Sequence, residues 1–208
     1  MARIIFRTLS FIAAASAFSG LSHAAPEPGT RVPVTAWKVV RDQGIIMQKR
    51  DFSCGAASVA TLLSGYYGLN VSEDDAIRIA GKEAWLSFDD LQRVAAAYGL
   101  KAVGLELDFA QLKQLSVPVI VYIDTRAGPH FAVLRGINDD FVWLGDPASG
   151  NNYYRNHQFL SYWRTTPAAE NPRGKILLVL PAPETTLQSK AGFFQKEFHG
   201  LGTRISGE

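Results

Sequence analysis

An α+β domain, with an N-terminal helical layer packed on an antiparallel β-sheet, is the fold class this 208-residue sequence predicts. Segments of helical spacing come first, β-branched runs bounded by turn residues follow Pro118, and no internal repeat is visible. The chain begins with Arg3 and Arg7 ahead of an apolar stretch, Leu9 to Leu21, that runs into Ser22-His23-Ala24-Ala25. That is the layout of a cleavable secretory signal over residues 1–24, with an uncleaved N-terminal anchor as the alternative. Cleavage after Ala24 leaves 208 − 24 = 184 residues, enough for one domain with a core. No later stretch approaches the roughly 20 apolar residues of a membrane helix, so no stable membrane insertion is expected after cleavage.

Residues 25–44 read as a tether, opened by Pro26-Glu27-Pro28-Gly29, and a β-prone edge strand over Val32 to Val40. A helix starts at Cys54 and stops at Tyr66-Tyr67-Gly68, with glycine in the usual C-cap place. Ser72-Glu73-Asp74-Asp75 opens a second helix, a serine cap followed by acids in the first turn. Ser87-Phe88-Asp89-Asp90 opens a third, whose Leu91, Val94, Ala95 and Tyr98 share one face before Gly99. Asp108 caps a short fourth, Phe109 to Leu115. Val119 to Ile123 is a buried strand, and His130 to Ile137 and Phe141 to Leu144 are two more joined by the turn Asn138-Asp139-Asp140. Tyr153-Tyr154 and Lys175 to Leu180 supply further strands, with a short helix at His157 to Trp163 between them. Residues 182–208 read as a polar tail with a short helix around Phe193 to Phe198.

Charge excludes some partners. Without Arg3 and Arg7 the 21 basic residues become 19, equal to the 19 acidic ones. No basic run interleaved with aromatics suggests nucleic acid. No CxxC, HExxH or calcium-loop pattern indicates a metal site, and no phosphate-binding glycine pattern is present, so no cofactor is expected.

Cys54 is the single cysteine. In an exported chain it cannot form an intramolecular disulfide, so it is a free reactive thiol, an intermolecular bridge or a small buried hydrophobe. Polar residues and glycine flank it, and the predicted helix start puts the sulfur where unpaired N–H groups and the macrodipole favour the thiolate. Pro129-His130-Phe131 offers a base downstream and Asp146-Pro147 a group to orient it. Taken alone, His130 has the alternative reading of a hydrogen-bonded core histidine, Asp146 that of a turn opener and Gln48 that of a surface glutamine. His157 and His199 read as surface or capping residues, and Phe131, Trp143 and Trp163 as core.

Gln48, Asp51, Cys54-Gly55, Tyr66-Tyr67-Gly68, Gly128-Pro129-His130-Phe131-Ala132-Val133-Leu134 and Asp146-Pro147-Ala148-Ser149-Gly150 stand in the order and spacing of one family. The set resembles the C39 peptidases, papain-like cysteine peptidases best known as the leader-cutting domains of bacteriocin exporters. The likeness covers about Gln48 to Leu180, within a peptidase-like domain read as residues 45–181. Many members carry Asp directly before Cys-Gly, where this chain has Phe52-Ser53. With a signal peptide in front and no exporter parts, it is similar to the free-standing secreted members, one set of which accompanies functional-amyloid secretion across the Gram-negative outer membrane.

The resemblance implies a papain-like fold and a thiol protease. Cys54 would be its nucleophile, His130 its base, Asp146 the orienting residue and Gln48 the oxyanion donor beside the Cys54 N–H. It also implies a polypeptide substrate cut after small, often glycine, residues, with outer-membrane secretion machinery or an amyloid precursor as partner, while the signal peptide points to the periplasm. Two other readings stand beside it: acyl transfer from the same thiol, and a module that grips an export substrate without cutting it.

Overall fold

A computed structural model describes residues 34–163, 165, 171–183 and 187–197. The signal-peptide reading, His199 and the last residues of the tail lie outside them. Period-two burial builds the sheet. Strand β2 (Val119–Thr125) sends Val119, Val121 and Ile123 into one core and Ile120 and Tyr122 into the other. Strand β3 (Gly128–Ile137) likewise divides Phe131 and Val133 from Ala132 and Leu134. A strand buried on both faces requires cover on both.

Helices α2 (Cys54–Gly65), α3 (Glu73–Ala80) and α4 (Phe88–Ala97) supply one layer. On the other side α5 (Phe109–Gln114) contributes Leu112 and α6 (Asn156–Trp163) contributes Phe159 and Trp163. With β1 (Leu100–Asp108), β4 (Phe141–Asp146), β5 (Gly150–Arg155) and β6 (Arg173–Pro181), the strands form one antiparallel sheet in the order β1-β6-β2-β3-β4-β5. The predicted class is the observed one.

Local chemistry explains the helix starts. Ser72 with Asp75, and Ser87 with Asp90, each form a reciprocal capping box in which hydroxyl and carboxylate satisfy orphan N–H groups. Asp108 and Gln111 do the same for α5. Helix α2 is buried at every residue from Cys54 to Leu63, as a helix apolar on all sides must be.

Three elements depart from the sequence reading. Where the described residues cover the edge strand read over Val32 to Val40, they are helical instead: Val34–Arg41 is helix α1. Valine favours strands chiefly where a partner covers it, and here Lys38 and Arg41 in the last turn suit a helix C-terminus instead. Strand β1, not anticipated, is the exposed edge of the sheet, and its outward Val103 and Leu105 dilute the buried alternation that would have marked it.

The third departure is the C-terminal segment. Phe193 to Glu197 form bends and a bridge rather than a helix. The register of β3 slips between Leu134 and Gly136, which frees main-chain groups at the bulge. The Gln195 N–H donates to the Arg135 carbonyl at 2.8 Å, and the Ile137 N–H to the Gln195 carbonyl at 3.3 Å. Phe193 then seats against α2 at Gly65, where an added Cβ would come within 2.3 Å of the ring. The Arg135 guanidinium lies between the Phe193 and Trp143 rings, 4.5 Å from each centroid. Because Phe193 is buried in the first core, Phe193→Ala is expected to cost about 3–5 kcal/mol, measured by denaturant unfolding. A loss under about 1 kcal/mol would mean the segment adds no packing.

Candidate active site

Cys54 opens α2, as expected, in the first helical position. The turn before it is tight: Ser53 returns its N–H and its hydroxyl to the Arg50 carbonyl, at 3.1 and 2.7 Å. Ser53, the N-cap residue, therefore makes no side-chain cap, and the positive end of α2 is not filled from its own sequence. Phe52 packs on the core while Asp51 stays exposed, so the Phe52-Ser53 pair is absorbed as a turn with an apolar anchor. The thiol residue is only 1% exposed despite its polar neighbours.

Helix α2 meets β3 closely enough to bring Cys54 to His130. Gly55 permits this: an added Cβ would lie 3.2 Å from the Phe131 ring and 3.4 Å from Leu86 and Leu91. The Ser58 hydroxyl donates to the Phe131 carbonyl at 3.1 Å, a buried bond joining the helix to the strand beside His130.

Sheet register brings Asp146 to the same histidine. Val133 pairs with Gly145. One further step puts Asp146 opposite Ala132, and His130 becomes its diagonal neighbour on the same face, within side-chain reach. His130 Nε2 lies 3.0 Å from Asp146 Oδ1. The same oxygen accepts the Ala148 N–H at 2.7 Å and the Ser149 N–H at 3.3 Å. Asp146 is thus both turn former and partner of the histidine, and the two sequence readings of it are compatible.

With Nε2 at Asp146, Nδ1 is the nitrogen left for the thiol, and Cys54 is among the groups that keep the proton on the ring. Burial alone would pull the imidazole down, but the bonds to Asp146 and Cys54 outweigh it and push its pKa up to about 9. Burial would raise the Asp146 carboxyl, yet the His130 bond and charge hold it below the usual carboxylate range. The arrangement favours an imidazolium facing a carboxylate on one side and a sulfur on the other.

Gln48 sits at the turn leading into Cys54. Its Nε2 donates to the Arg50 carbonyl at 3.0 Å, and its main-chain N–H to the Pro147 carbonyl at 2.9 Å. Its Oε1 is buried without a partner. The side-chain amide that was expected near the thiol is therefore tied to the Cys54 turn, and the main chain of Gln48 to the Asp146 turn. His157 is exposed, and Trp143 and Trp163 are core.

A cavity of about 580 Å³ opens beside His130, lined by Trp85, Leu86, Phe88, Tyr122 and Phe131 among others. Phe131 meets Phe88 and Tyr122 edge to face, with centroids 5.2 and 5.4 Å apart. Trp85 stands at 56% exposure, a large apolar cost unless something covers it. The sequence reading placed Phe131 in the core and passed over Trp85; a tryptophan within Gly81-Lys82-Glu83-Ala84-Trp85, a polar loop, was the available signal. Among the described residues no three His, Cys, Asp or Glu side chains converge as metal ligands would, and no helix is long and apolar enough to cross a membrane.

The model of the Peptidase C39 family matches residues 42–173. The chain belongs to that family. Its C39 match contains Gln48, Cys54, His130 and Asp146, and stops short of the docked segment around Phe193. The probable functional amyloid protease FapD of Pseudomonas aeruginosa is 35% identical over 153 residues, 68% of each chain. The protein of that name from Pseudomonas fluorescens is 29% identical over 170 residues, 74% of each. Among solved structures, the peptidase domain of Streptococcus ComA, a bi-functional ABC transporter, shares the fold at a TM-score of 0.57 and 19% identity, covering 66% of this chain and 98% of that one. A double glycine motif protease from an AMS/PCAT transporter, solved with its leader peptide, gives a TM-score of 0.54 and 26% identity, covering 66% and 91%. As a C39 member, the chain is a cysteine peptidase.

Proposed function

We propose that this C39 peptidase cuts an exported polypeptide in the periplasm, after a small residue in a flexible segment, and so supports secretion of a functional amyloid. The 3.0 Å bond of His130 to Asp146, with Cys54 at the start of α2 helping to keep the ring protonated, carries the reading. Cys54 attacks the scissile carbonyl as thiolate, forming the S–C bond of a tetrahedral intermediate. His130, holding the thiol proton as imidazolium, gives it to the leaving amine as the C–N bond breaks. Water then loses a proton to His130 and attacks the thioester, and the proton returns to the departing sulfur. Asp146 holds the ring so that Nδ1 faces the sulfur. The Cys54 N–H and the Gln48 amide receive the oxyanion, a role in which one donor is worth about 2.7–4 kcal/mol.

The burial of Cys54 supports a small residue at the cut. A thiol at 1% exposure is most easily approached by backbone without side chains, and glycine gives the least steric cost. The aromatic cavity would take a bulky apolar residue elsewhere on the same peptide. The substrate class is supported by the amyloid-protease names of the Pseudomonas relatives and by the leader peptide bound to the double-glycine protease. The location is supported by the signal-like Arg3 to Ala25.

The test is to incubate the chain from Ala25 onward with exported proteins of its own cell, in particular any with glycine-rich segments, and map new termini by mass spectrometry. Termini following Gly or Ala, together with accumulation of uncut substrate when the gene is deleted, are the expected result. Normal processing in the deletion strain would defeat the proposal.

A further inference from the structure

We infer that Glu73, at the start of α3, is a positioning residue that holds the oxyanion side of the site in register through the main chain of Lys49. The inference rests on the peptidase reading above. An acid in the first turn of a helix already interacts favourably with the macrodipole at the surface, where it keeps its hydration. The neighbours of Glu73 keep more contact with solvent, Asp74 being exposed and Asp75 half-buried. Glu73 is 1% exposed. A buried carboxylate is costly unless hydrogen-bonded, so its partners identify its task.

Glu73 Oε1 accepts the Lys49 N–H at 2.9 Å, across 24 residues of sequence, while Oε2 is buried with no partner. Half of the carboxylate's bonding capacity is thus left unused around one bond to the residue after Gln48. Asp74 adds ion pairs to the same segment, from Lys49 Nζ at 2.9 Å and Arg50 Nη1 at 2.8 Å. These are exposed and weak singly, but they act in the same direction.

The opposite flank is fixed too, since the Gln48 N–H donates to the Pro147 carbonyl at 2.9 Å, next to Asp146. Gln48 is therefore suspended between α3 and the Asp146 turn. Its side-chain amide bonds to the carbonyl of Arg50, whose guanidinium is paired with Asp74 of α3. Loss of the Glu73 bond frees that stretch to shift, and a displacement near 1 Å in a positioning group costs about a hundredfold in rate. Cys54 and His130 are held by other contacts, at Gly55 and Ser58, and need not move.

Cleavage kinetics of Glu73→Ala, Glu73→Gln, Gln48→Ala and the Glu73→Ala/Gln48→Ala pair test this, alongside the rate of iodoacetamide labelling at Cys54. Glu73→Ala should lower kcat by about tenfold to a hundredfold, with KM and the labelling rate little changed. Glu73→Gln, which keeps an acceptor for the Lys49 N–H, should restore most of kcat. The pair should be no slower than Gln48→Ala alone, because one residue acts through the other. If Glu73→Ala is too unstable to assay, Glu73→Asp shortens the reach with the charge kept and should give the same split. Additive losses in the pair, or labelling that falls with kcat, would overturn the proposal while leaving the peptidase reading intact. A wild-type chain that cleaves nothing would overturn that reading and this proposal with it.

Discussion

Cys54→Ala is expected to reduce cleavage by about 10⁴-fold or more while the fold persists, the scale seen when a covalent nucleophile is removed. Nothing else in the site replaces the sulfur. His130 and Asp146 would still be paired, and the donors proposed for the oxyanion still present, but no acyl-enzyme could form. Stability should fall by about 1 kcal/mol, since alanine suits a helix and only one buried atom is lost. Unfolding curves and mass spectrometry of the substrate measure the two effects separately. Cleavage that survives the substitution would remove Cys54 from the mechanism. In cells, Cys54→Ser should match the gene deletion; a strain secreting and processing normally with serine at 54 would favour a module that grips its substrate without cutting it.

What the sequence revealed of this site was mostly what short segments encode. Capping boxes at Ser72 and Ser87 depend on residues three apart, and both helices start where those serines are. The Asp146 turn is equally local, with its carboxylate bonded two and three residues on. Other features needed partners distant in the chain. Phe193 belongs to the core because Gly65, 128 residues earlier, leaves a notch for its ring. Valine-rich α1 was misread because the propensity of valine for strands is a statement about packing that no strand there supplies. Strand β1 was missed because its edge position leaves Val103 and Leu105 outside. Polar neighbours also suggested an open thiol, whereas the first helical turn carries Cys54 inward; polarity of flanking residues does not fix the direction of one side chain. The role of Glu73 was hidden for the same reason, since its partner, the main chain of Lys49, has no side-chain signature.

Removing His130 should be nearly as damaging as removing the sulfur, and its charge should set an alkaline limit on activity. The proposed mechanism needs His130 as the imidazolium, so activity is expected to depend on His130 keeping its proton. That proton is held to about pH 9, against an ordinary 6.5, so kcat/KM should fall with a midpoint near 9. Stability follows the same sign. The folded pKa is raised, so the stabilising contribution is fully present below about 6.5 and is lost as pH rises through about 9. The wild-type advantage over His130→Ala in melting temperature should therefore shrink across that window. Asp146→Asn separates the causes: the carboxylate charge is gone, while an amide oxygen can still accept from the turn. If Asp146 sustains the imidazolium, the alkaline midpoint should move about one to three units toward neutrality, with the turn and the melting temperature at pH 10 little affected. A midpoint that stays near 9 in Asp146→Asn would reduce Asp146 to its part in the turn and leave the Cys54 contact alone to hold the proton on His130.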